Sequence, residues 1–316
     1  MSLASWVPKP MSLVRALAII VLAAVPIALT WFFLEKQTAL AVYRGLTLMV
    51  AAITQVGVAQ QVAIAVVGGI GAAVATAFEN TTPVVLTIVA MACLVQWVFN
   101  QWSVAVAAQL PAMVAAFSAT DPGRPWQQGL ATVAGALIAV GAAAVVKLHG
   151  TPRPADRWVA ARHAVALAVG SMALLLINRA AGFPHGNWGL LAFCLVFVPL
   201  AGHTTAKVRD RVIGTTVGAI VAASIAAVAP PVVCFALAAV CGVLAVTYAT
   251  MSDRYVQFIS FLTPTILLIY GAYRPPLQVI GLAGERVGLT ILGGLLALAL
   301  TIWFVRPHKA QPNPPA

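Results

Sequence analysis

Two short clusters of charge in an otherwise apolar sequence hold the residues best suited to chemistry. Glu285-Arg286 interrupts the apolar stretch from Leu277 to Phe304, and Arg209-Asp210-Arg211 stands at the mouth of the apolar run at 210–229. In a membrane such a charge costs about 2.5–3.5 kcal/mol at a helix centre on insertion scales, so it must be paired or face a wet cavity. A guanidinium there can attract an anion, and a carboxylate can take up and release protons. The depth of Glu285 and Arg286 turns on where their helix begins. A start near Pro276 puts them about 15 Å along, at 1.5 Å per residue, whereas a loop ending at Gly284 leaves both at the surface. Arg209, Asp210 and Arg211 sit at the mouth of their span, where they either draw anions toward a path or act as an interfacial topology signal.

Enzyme signatures are missing from the sequence. Gly202 to Lys207 has a Gly and a Lys but lacks the G-K-[ST] of a phosphate-binding loop, and neither H-E-x-x-H nor G-x-S-x-G occurs. The five histidines fall mostly at the ends of apolar runs. Cys93, Cys194, Cys234 and Cys241 lie inside such runs with no C-x-x-C or zinc-type spacing. The expectation is therefore no catalysis, no metal and no cofactor.

The elements that must carry these residues follow from composition. Of 316 residues, 62% are hydrophobic and 8% charged, with a mean hydropathy of +0.99. A soluble domain runs at about 25% charged, so the surplus apolar area must face lipid. A net charge of +11 raises nucleic-acid binding in a soluble protein. Here the basic residues stand at the ends of apolar runs, as topology determinants and snorkelling anchors, and the partner is the lipid bilayer.

Apolar runs fall at about 13–34, 40–58, 61–78, 82–100, 102–120 and 126–147, then 162–180, 187–202, 210–229, 231–250, 255–272 and 281–304. They are continuous and too long for barrel strands, which predicts an all-α polytopic membrane protein of about twelve transmembrane helices. The first run is longer than a signal-peptide core and is followed at once by further spans, so it is read as retained. With the N-terminus inside, twelve basic residues lie on the inner side. Six lie on the outer side: Lys36, Arg44, Arg124, Arg179, Arg274 and Arg286. The positive-inside rule then puts both termini in the cytoplasm.

The chain also repeats itself. The span opening at Arg15 matches the one opening at Arg162, the segment Trp102 to Pro111 aligns without gaps with Tyr255 to Pro264, and Gly68, Gly129 and Gly135 align with Gly218, Gly288 and Gly294. Interior prolines and glycines are costly in helices and rarely coincide. The expected organisation is two parallel six-helix repeats: a first half over 1–148, a short cytoplasmic linker over 149–161, a second half over 162–306 and a disordered tail over 307–316. A substrate path then lies between the halves.

Pro111 and Pro264 each free a backbone carbonyl inside the membrane. Gln257, Ser260 and Pro264 share one helical face. With Thr263 they are candidate path residues or helix-to-helix hydrogen-bonding groups. The aromatics Trp97, Trp102, Trp188 and Tyr255 near span ends read as an interfacial belt. Gly214, Gly218 and Ala222, four residues apart, let a neighbouring helix approach closely.

The helix from Asn187 to Gly202, led by Trp188, a turn with Thr204, and then Arg211-x-x-Gly214-Thr215-x-x-Gly218 resemble the fusaric acid resistance and aromatic acid exporter superfamily. Arg286 followed by Gly293 and Gly294 is similar to that family's closing helix. The resemblance covers the second half well and the first half weakly, where Gln61 stands in place of Arg211 and Ile64 in place of Gly214. It implies a proton-coupled exporter of small organic anions, aromatic acids included, in a bacterial inner membrane. Arg254 or Arg286 would attract the substrate carboxylate, and Asp210, Asp253 or Glu285 would carry the proton. A homo-oligomer or a periplasmic adaptor protein is the implied protein partner. An anion channel, as in the distantly related malate channels of plants, and a non-transporting membrane subunit are the alternatives.

Overall fold

The computed structural model describes residues 10–78, 81–119, 124–146, 151–199, 201–249, 251 and 254–304. Among these every regular element is a helix: α1 (Pro10–Phe33), α2 (Lys36–Leu48), α3 (Ala52–Gln55), α4 (Val58–Ala77), α5 (Thr82–Trp102), α6 (Leu110–Ser118), α7 (Pro125–Val145), α8 (Arg157–Ala181), α9 (Asn187–Val196), α10 (Ala201–Val228), α11 (Pro231–Ala249), α12 (Tyr255–Gly271) and α13 (Pro276–Phe304). Among the described residues nine helical segments, with α2 and α3 taken together over Lys36–Gln55, are long and apolar enough to cross a membrane. The helices α6, α9 and α12 are shorter.

Short connections make successive helices antiparallel, so the bundle has two faces. The linker face gathers residues 151–156, which bond to the end of α5: Ala155 N–H donates to the Asn100 carbonyl at 2.8 Å and Arg153 N–H to Ser103 Oγ at 3.0 Å. The opposite face is where α2, α7, α9 and α13 begin. There Gln127 Nε2 donates to Thr38 Oγ1 at 3.2 Å, and Arg179 bonds to Thr82. Asp156 caps α8, its Oδ1 accepting the Trp158 N–H at 2.9 Å, and Gly182 ends that helix in the left-handed conformation at φ 66°.

Backbone contact between helices is enforced by glycine. A Cβ on Gly135 of α7 would fall onto the Val42 carbonyl of α2, and one on Gly293 of α13 would lie 2.7 Å from the Gly189 carbonyl of α9. In the first half α7 packs on α2 and α4, and in the second α13 packs on α9 and α10. Among the contacts that join the halves are α5 against α8, α1 against α11 and α6 against α9.

Three expected spans are interrupted. The run 102–120 is helical only from Leu110, because residues 103–109 form a turn with Ala105 at φ 60°. That conformation costs a non-glycine residue about 1–2 kcal/mol. Asn100 Oδ1 supports it by accepting the Ala105 N–H at 2.9 Å, and Gln96 Nε2 donates to the Ala107 carbonyl at 2.7 Å. Pro111 therefore sits in the first turn of α6, where its missing N–H would have no intrahelical partner, and it frees no interior carbonyl. Pro264 is interior to α12. The run 187–202 stops at Val196, ahead of Pro199, and Thr204 Oγ1 satisfies the unwound backbone at Val198. The run 40–58 divides into α2 and α3 around residues 49–51.

Two helices begin earlier than expected, and this relocates charge. The first residue of α10 is Ala201, so Arg211 lies ten residues along it, and α13 is continuous from Pro276 through Glu285 and Arg286. The surface-loop alternative for that pair is thereby excluded. Arg44, counted above as an end charge, is likewise inside α2.

Candidate functional site

Arg211 is 2% exposed and Arg286 3% exposed, an unusual state for arginine. Each lies about 15 Å from the start of its helix, α10 running in from the linker face and α13 from the opposite face. The two guanidinium groups are close enough to interact electrostatically. Among the described residues neither pairs with an acidic side chain. Arg211 Nη1 donates to Tyr255 Oη at 2.9 Å, while its Nε has no partner. Arg286 leaves both Nε and Nη1 unbonded, and its guanidinium carbon lies 4.9 Å from the centroid of the Trp188 ring.

Around Arg286 the walls are aromatic. His185 stacks on Trp188 at 4.5 Å, and Tyr270 stands edge-on to both rings at 6.2 Å. Glu285 belongs to this outer layer: its Oε1 accepts the His185 N–H at 3.0 Å and its Oε2 lies 2.9 Å from His185 Nδ1. Trp188, placed in an interfacial belt by sequence, is thus a ring under a buried cation. Its contact with a residue nearly one hundred positions away left no local signal in the sequence.

Other predicted site residues lie elsewhere. Gln257, Ser260, Thr263 and Pro264 are buried on α12, and Gly214 and Gly218 of α10 pack against that helix. A Cβ on Gly218 would lie 2.8 Å from the Ser260 carbonyl and from Pro264 Cδ. Ser260 Oγ is buried without a partner, and Thr215 is buried on α10. Asp210 pairs with its neighbour Arg209, Nη2 to Oδ1 at 2.9 Å, on a side where the Arg209 side chain is 70% exposed. Arg254 precedes α12 as its N-cap. Asp253 lies outside the described residues.

A groove of about 350 Å³ opens on the linker face beside Gln61 and Pro152, and among the described residues no charged side chain lines it. Among the described residues no three His, Cys, Asp or Glu side chains gather as metal ligands do. A buried, partly unbonded guanidinium pair flanked by aromatic rings can therefore do one thing well: bind an anion with an apolar body.

Residues 158–300, from the first turn of α8 to the last turns of α13, match the fusaric acid resistance protein-like family. No curated protein and no solved structure matches the chain.

Proposed function

From the match of residues 158–300 to the fusaric acid resistance protein-like family, we propose that this multi-pass membrane protein is a secondary-active exporter of small organic anions, aromatic carboxylates among them, driven by the proton gradient. The observation that carries this reading is Arg286, buried at mid-depth with two donor nitrogens unbonded. A guanidinium desolvated without a counter-charge is costly to keep. A substrate carboxylate would supply the missing acceptors, bidentately if it meets the planar fork. Trp188 and Tyr270 offer flat apolar area for an aromatic body.

The substrate would exchange between Arg286, reached from the opposite face, and Arg211, reached from the linker face. Glu285, whose carboxylate is held by His185 beside this site, is the proposed proton carrier. Twelve helical units in two parallel repeats, with the linker and both termini in the cytoplasm of a bacterial inner membrane, complete the proposal. The corresponding packing of α7 on α2 and α4 and of α13 on α9 and α10 supports the repeat.

The test is efflux of radiolabelled benzoate from proteoliposomes under an imposed pH gradient. Uphill transport that stops when the gradient is collapsed is the expected result. Transport indifferent to the gradient would remove the coupling, and no transport of benzoate or of any other aromatic or aliphatic carboxylate supplied would remove the exporter reading.

A further inference from the structure

On the linker face α10 carries a second cation toward Arg211. His203, Lys207 and Arg211 recur every four residues, so they lie along one side of the helix, about 6 Å apart on its axis and about 3, 9 and 15 Å from its first residue. Exposure falls along the series: His203 is exposed, Lys207 partly buried and Arg211 buried. Like charges four residues apart on a helix repel each other, and Lys207 feels the like charges of Arg211 and of Arg153 in the linker. The backbone that carries Arg153 is anchored to the end of α5, its carbonyl accepting the Val104 N–H at 2.9 Å. The acidic residues described on this face are committed elsewhere, Asp210 to Arg209 and Asp156 to the cap of α8. Among the described residues Lys207 has neither a carboxylate nor a hydrogen-bond partner. One turn deeper, Arg211 Nε is buried and unbonded.

We propose that Lys207 is the entry site for the anion on the linker face, where a carboxylate docks before it passes to Arg211 one turn deeper. Side chains four apart on a helix are neighbours, so their ends can converge on one carboxylate, with one oxygen on the ammonium and the other on the guanidinium. The ligand then relieves a like-charge contact that the chain leaves uncompensated. A lysine serving only as an interfacial anchor extends its ammonium to water or lipid phosphate; Lys207 instead stands one turn from a buried arginine that lacks a counter-charge. The assignment rests on the anion reading of the arginine pair and deepens it, by naming the residue that meets the substrate first on the linker face.

The experiment reads protection of a thiol beside Lys207 and does not depend on transport. In the full chain in detergent, with Cys93, Cys194, Cys234 and Cys241 replaced, His203→Cys is reacted with an anionic methanethiosulfonate reagent with and without benzoate. Benzoate is expected to slow the reaction about threefold by neutralising the charge one turn away, and neutral benzamide to leave it unchanged. Lys207→Gln should abolish the protection and Lys207→Arg should keep it. In proteoliposomes Lys207→Gln should raise KM for benzoate efflux about tenfold with little change in kcat, as loss of a binding contact does. If Lys207→Gln does not elute as folded protein, Lys207→Met replaces it. Protection or a KM that survives Lys207→Gln unchanged would overturn the role of Lys207. Protection by added phosphatidylglycerol but not by benzoate would overturn it too, and make this lysine a lipid anchor. No protection in a parent that still exports benzoate would remove the entry site and leave the exporter reading standing. Protection that depends on Lys207 in a protein that exports no carboxylate would keep the binding site and remove the exporter reading.

Discussion

Arg286 lies over Trp188, 4.9 Å from its ring centroid, and not against Glu285, its neighbour in sequence. Consecutive residues on a helix project in different directions and do not face each other, so Glu285 turns to His185 while Arg286 turns inward. The adjacent charges are thereby separated into a carboxylate bonded to His185 and an uncompensated cation turned inward. Several expectations depend on that separation.

An uncompensated cation held for a ligand should cost stability. Arg286→Met keeps volume and removes the charge, and a stabilisation of about 1–3 kcal/mol is expected, since well-packed apolar replacements of buried charge are often stabilising. The measurement is thermal unfolding in detergent together with transport. A higher melting temperature with at least tenfold slower efflux is expected. A lower melting temperature would make Arg286 a structural residue.

Glu285→Gln retains the shape and an acceptor oxygen for His185 but cannot release a proton. Exchange of labelled for unlabelled benzoate across the bilayer should persist in this variant, while uphill efflux driven by a pH gradient should be lost. Uphill efflux at the parent rate would assign the proton to another group.

The helical class and the position of most helices were legible in the amino-acid sequence, because hydropathy over about twenty residues reports span length directly. What was not legible came from long-range contact. The early start of α10 carries Arg209, Asp210 and Arg211 into the helix, since a polar cluster reads as an end even where tertiary packing continues the turn. The break over 103–109 has no glycine to mark it and depends on Asn100 and Gln96 reaching forward to satisfy the backbone. Trp102 to Pro111 and Tyr255 to Pro264 align residue for residue, yet the first is mostly turn and the second is helix. Trp188 and Arg44 looked like end-of-span residues because their partners lie on other helices.

Close packing of α10 on α12 makes a steric prediction. Gly218→Ala places a Cβ 2.8 Å from the Ser260 carbonyl, Pro264 Cδ and Thr263 Cβ, two helix backbones with little room to shift, and should destabilise by about 1–3 kcal/mol. At Gly288 of α13 a Cβ meets nothing within 4 Å, so Gly288→Ala should be neutral, or stabilising by up to about 1 kcal/mol through helix propensity. Equal melting temperatures for the two variants would contradict the packing.

The linker-face turn depends on Asn100. Its Oδ1 is committed to the Ala105 N–H, so its amide nitrogen faces His163 Nδ1 at 3.1 Å. His163 Nε2 lies 3.0 Å from the Phe197 carbonyl and must donate to it, which assigns the neutral Nε2–H tautomer. The Asn100 carbonyl accepts the Ala155 N–H from the linker. Asn100→Ala removes the amide from both side-chain contacts and leaves a buried ring nitrogen unpaired, at a cost of about 1–3 kcal/mol. Because the lost bonds converge on the turn and on α8, the effect should be local: faster amide hydrogen exchange at Ala105, and, through the loosened turn, at Ala155, with α10 and α12 unchanged. Uniform acceleration across the bundle would instead show that the contact supports global stability, and unchanged exchange at Ala105 would show that the turn holds without it.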